Sequence, residues 1–190
     1  MHTSQNNVET SNEITKAYIL ASKGKGFISN LIKKFQQNFP YTHIAYVLKP
    51  DKHNPYVIEA WHEPYNFTVK PPFITGGGVY EYYFGYNHEP GTEFTIFSID
   101  ITNEQRKKIE EFLKHQLGKS KYDFKGILGF ATFSDYQNPE KWFCSELVYA
   151  AFLNAGIRLL SNFIEPHKVT PRIFLLSPYL KKEFDGVVKI

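Results

Sequence analysis

A single cysteine, Cys144, is the feature that most limits what this chain can become. One thiol closes no intramolecular disulfide and builds no cysteine-based zinc cage. The fold must therefore rest on buried apolar side chains. The 190 residues suffice for one such core, at roughly 150 residues per domain. Rings must fill much of it, because 17 Phe, 13 Tyr and 2 Trp make up 17% of the chain. A net charge of +3 is too small to imply a nucleic-acid partner.

Residues 1–13 are polar and aperiodic and read as a flexible tail, leaving 14–190 as a single domain. Ala17–Ala21 reads as a strand and Ser22–Gly26 as a turn. An amphipathic helix is expected near 27–37, on Phe27, Ile28, Leu31, Ile32 and Phe35. Thr42–Leu48 and Tyr56–Trp61 read as a pair of antiparallel strands. Residues 62–92 read as irregular, with the aromatic run Val79–Phe84 as pocket lining or packed structure. Phe94–Ile99 is a further strand. Thr102 and Gln105 form the ends of a capping box, opening a helix that stops at Gly118. Leu147, Val148, Ala151, Phe152 and Ala155 mark another helix, closed by Gly156. Segregated helices and strands give an α+β class.

The chemistry concentrates around Cys144, in Trp142-Phe143-Cys144-Ser145-Glu146-Leu147-Val148. A helix starting at Cys144 would set its thiol at the positive end of the macrodipole and favour the thiolate. Asn138-Pro139-Glu140 also has the form of a helix start. A helix from there would bury Cys144 mid-helix, as an inert structural cysteine. Sequence leaves both starts open. A thiol nucleophile needs a base. Of the seven histidines, His43 lies inside an apolar strand, on the face of Ala45 and Val47. It is either a hydrogen-bonded core residue or a positioned base. Glu59 lies between Ile58 and Ala60 on the next strand, where a carboxylate is costly to bury unpaired. Across the strand pair it could hold the His43 imidazole in one tautomer.

These residues resemble the permuted NlpC-type papain-like cysteine hydrolases, in particular the YiiX/YaeF/YebB-like amidases. The matching pieces keep the family's order over residues 17–157. They are Ile19-Leu20 with Lys23–Ser29, Tyr41–Ala45, Val57–Ala60, Tyr122-Asp123, Phe143–Val148 and Ala155-Gly156-Ile157. The histidine precedes the cysteine, at positions 43 and 144, which is the permuted order. The resemblance implies a circularly permuted papain-like fold, with an antiparallel sheet packed on helices that include the cysteine helix. It also implies Cys144 as nucleophile, His43 as base and Glu59 as orienter. Tyr122 becomes a candidate oxyanion donor beside the Cys144 backbone N–H, with Ser145 and Trp61 as further oxyanion or substrate-binding candidates. Lys16-Ala17 and His62–Tyr65 depart from the family pattern at the first strand and pocket rim.

The expected activity is hydrolysis of a small amide, peptide or lipid-linked amide through a thioacyl-enzyme, without metal or other cofactor. The alternatives are a thiol-dependent acyltransferase of the lecithin:retinol acyltransferase-like type, or a non-catalytic ligand-binding module of the same fold. A metal hydrolase has only the loose set His43, His62 and Glu59 behind it. No leader or membrane span is visible, so a cytoplasmic protein with no nucleic-acid partner and no stable membrane insertion is expected.

Overall fold

Strand β1 (Ile14–Ser22) alternates its side chains between two faces, and both faces are covered. The computed structural model describes residues 13–25, 27–62, 77–123 and 140–189. Helix α1 (Phe27–Phe35) follows β1, and then come β2 (His43–Lys49), β3 (Tyr56–Trp61) and β4 (Gly78–Tyr83). A single 3-10 turn at Phe84–Tyr86 leads to β5 (Glu93–Thr102) and α2 (Asn103–Gln116). The two-residue strands β6 (Lys121–Tyr122) and β7 (Lys141–Trp142) precede α3 (Cys144–Asn154). A short helix α4 (Pro171–Phe174) and strand β8 (Lys181–Val187) close the chain.

The strands form one sheet in the order β7-β6-β4-β3-β2-β1-β5-β8. Its pairings are antiparallel except for β6 with β7. One face carries Ala17, Ile19, Ile44, Tyr46 and Ile58 against Ile109 and Leu113 of α2 and Leu147 and Val148 of α3. The other carries Leu20, Ala45, Val47 and Val57 against Tyr82, Phe84, Phe94 and Val188. The α+β class holds. No helix among the described residues is long and apolar enough to cross a membrane.

Several local expectations hold. β3 spans the residues expected of it. At α2 the Thr102 hydroxyl accepts the Gln105 N–H at 3.1 Å and the Gln105 side chain accepts the Thr102 N–H at 2.9 Å. Gly156 ends α3 at φ 77°, the left-handed conformation that favours glycine. Others are corrected. Glu13 is no part of a loose tail, since its carbonyl accepts the Asn103 N–H at 3.0 Å. Residues 1–12 lie outside the described residues. β4 occupies part of the stretch read as irregular. β8, in a stretch for which no element is expected above, pairs with β5 over Glu93–Ser98.

Candidate functional site

The site lies where β2 begins, β3 ends and α3 starts. Continuing the Tyr46–Ile58 register sets Glu59 opposite Ala45 and diagonal to His43 on one face. The His43 Nε2 lies 2.6 Å from Glu59 Oε2, and both residues are buried. The Cys144 side chain lies near enough to the His43 imidazole for its charge to raise the imidazole pKa. With Nε2 turned to Glu59, the nitrogen left for the thiol is Nδ1. The structure thus brings Cys144, His43 and Glu59 together in the order a nucleophile, base and orienter require.

The helix start left open by sequence is at Cys144. Lys141-Trp142 is a strand beside β6, and Phe143 has extended backbone angles of φ −87° and ψ 156°. The first amide groups of a helix have no intrahelical acceptor, so the thiol stands beside N–H donors that the helix itself does not use and at the positive dipole end. Glu146, one turn in, accepts the Phe143 N–H at 3.1 Å. Asn138 and Pro139 lie outside the described residues.

Two residues that sequence reasoning missed complete the site. His88, in the turn before β5, sets its Nε2 2.9 Å from Glu59 Oε1. The Tyr82 hydroxyl donates to the same Oε1 in a very short hydrogen bond. Burial works against the Glu59 charge, but the neighbouring His88 and His43 overcome it and hold the carboxyl well below its usual range. An ionised carboxylate only accepts. Both histidines therefore donate from Nε2, which leaves His43 Nδ1 as the proton acceptor. Burial also works against an imidazolium at His43, yet the charges of Glu59 and Cys144 push its pKa up to about 10. The Tyr82 phenol is pushed well up by burial and by Glu59.

The other candidates separate. Tyr122 is buried in β6 near enough to Cys144 that the thiolate charge, after burial, raises its phenol pKa. Trp61 packs its indole against His43 at 5.3 Å and His88 at 4.2 Å between ring centroids, forming a wall of the site. Ser145 does not offer its hydroxyl. It is fully buried and donates to the Val169 carbonyl at 2.5 Å, tying α3 to the segment before α4.

His43, Glu59 and His88 are also three metal-type donors, with ligand atoms within 4.8 Å of one another. The cluster's third member is His88, not His62. Two imidazoles and a carboxylate are a known zinc donor set. The donor set fits an ion in its chemistry. Ligands at ~2.0 Å in a tetrahedral shell stand about 3.3 Å apart, whereas here the atoms meet at 2.6 and 2.9 Å as direct hydrogen bonds, so a bound ion would replace those bonds.

No family model and no curated protein matches the sequence. Among solved structures, the chain is similar to the metalloprotein YiiX of Escherichia coli O157:H7, a DUF1105 protein. The TM-score is 0.59, over 90% of this chain and 96% of that one, at 20% identity. The likeness is one of fold.

Proposed function

We propose that the protein is a cysteine hydrolase that cleaves an amide or peptide bond through a thioacyl-enzyme. The observation that carries this reading is His43, with the only thiol of the chain beside it and a buried carboxylate bonded to its Nε2. The permuted order of base and nucleophile supports a papain-like reading of the fold it shares with YiiX.

In the proposed cycle His43 Nδ1 takes the Cys144 proton and the thiolate attacks the substrate carbonyl. Backbone N–H groups at the start of α3 hold the oxyanion, with Tyr122 at its side. The C–N bond breaks as Nδ1 returns the proton to the leaving amine. Water then gives a proton to Nδ1 and attacks the thioester, the C–S bond breaks, and Cys144 leaves as a thiolate paired with the protonated His43.

The test uses a p-nitrophenyl ester as acyl donor, with mass spectrometry of the intact protein. A single acyl adduct on Cys144 is expected. His43→Ala should slow its formation by about a hundredfold or more. An adduct rate indifferent to His43, or no adduct on Cys144, sinks the reading. Faster turnover with transfer of the acyl group to an added amine would favour the acyltransferase.

A further inference from the structure

We infer that His88 and Tyr82 are positioning residues for the base, acting through Glu59, so that one buried carboxylate serves two histidines. The inference rests on the cysteine hydrolase reading only for its catalytic consequence.

Glu59 is 0% exposed, and its two oxygens are used asymmetrically. Among the described residues Oε2 is bonded by His43 alone, while Oε1 receives both His88 Nε2 and the Tyr82 hydroxyl. A carboxylate held at one oxygen by two donors cannot swing about its own bond without losing both. Its second oxygen is thereby aimed at His43. The donors are themselves fixed. The His88 ring stacks on Phe84 at 3.6 Å between centroids and 17° between planes, with Trp61 on another side. Tyr82 is fully buried in β4, the strand next to that of Glu59. His88 also packs against the His43 ring at 5.3 Å between centroids, a contact that His88→Leu largely keeps while the bond to Glu59 is lost.

The first readout is independent of catalysis. Proton NMR of the imidazole N–H groups should give two strongly downfield signals, one from each histidine bonded to Glu59. Glu59→Gln should abolish both, and His88→Gln should remove one and keep the other. One downfield signal or none in the wild type, or two that survive Glu59→Gln, overturns the inference. The second readout is Cys144 acylation by the p-nitrophenyl ester. His88→Leu should slow acylation about tenfold to a hundredfold, the weight of one hydrogen bond to a charged group. His88→Gln, which keeps a donor at the same reach, should restore it to within a few-fold. Tyr82→Phe, which removes only a hydroxyl, should slow it in the same sense without unfolding the sheet. Equal acylation in wild type, His88→Leu and Tyr82→Phe overturns the inference even when His43→Ala is inactive. Loss of acylation dependence on His43 sinks the hydrolase reading while the two NMR signals stand.

Discussion

Glu146 is a carboxyl group at an awkward address. It lies two residues from Cys144, is 3% exposed, and has Asp123 as a charged neighbour. Burial raises its pKa, the Phe143 N–H lowers it, Asp123 raises it again, and the outcome is about 7. A carboxyl raised above its ordinary 4.5 favours folding most while it is protonated. That contribution is complete below about pH 4.5 and is lost as pH rises through about 7. Glu146→Gln never ionises and its amide oxygen can still accept the Phe143 N–H. Its stability relative to wild type should therefore climb between about pH 4.5 and 7, by the order of 2–3 kcal/mol. Thermal melts of the two proteins across that range check it. A difference independent of pH would count against a neutral buried acid. At this scale His43 and Glu59 were legible in sequence because each polar group interrupts an apolar strand, and Cys144 because it is the one thiol of the chain. His88 and Tyr82 were not. His88 follows a turn rather than a strand, and Tyr82 is one ring in Tyr80-Glu81-Tyr82-Tyr83-Phe84, where alternation carries little contrast.

At the scale of elements, local signals were read well where they were chemical. The Thr102–Gln105 capping box is one case, and Thr102→Ala should lower stability by about 1 kcal/mol in urea denaturation. Acylation of Cys144 should be unchanged, since that cap sits at α2 and not at the cysteine helix. β3 was legible because Val57, Ile58 and Ala60 form a plain apolar run between turns. β8 was not, because Lys181, Lys182, Glu183 and Asp185 make it polar, as suits the outer edge of a sheet. Its contacts explain it after the fact. Asp185 accepts the Thr95 hydroxyl at 2.7 Å and Glu183 accepts that of Ser98 at 2.5 Å. The start of α3 was undecided for a similar reason. β7 is two residues long, and what stops a helix from running through it is pairing with β6, a contact between segments far apart in sequence.

For the whole molecule, the α+β class followed from the alternation of periods, and the fold agrees with that of YiiX despite 20% identity. What composition concealed was the concentration of rings. Trp61, Phe84, Tyr82 and His88 line one end of the sheet around a single carboxylate. A chelator separates the hydrogen-bonded reading of this centre from a metal-bound one. Protein purified without added metal should carry no stoichiometric zinc, and dialysis against EDTA should leave Cys144 acylation and the melting temperature unchanged. One equivalent of tightly held metal, with loss of folding on its removal, would instead make Glu59, His43 and His88 its ligands.

The order of the site along the chain also has a temporal meaning. His43 and Glu59 leave the ribosome well before Cys144, which lies 101 residues after His43. At about 5–20 residues per second, that is an interval of roughly 5–20 s. For that time the nascent chain holds the histidine and its carboxylate but no thiol. The strand that covers β5 is made later still, ending at Val187. A chain arrested before residue 144 carries no thiol, which enters a sheet whose central strands have already been made.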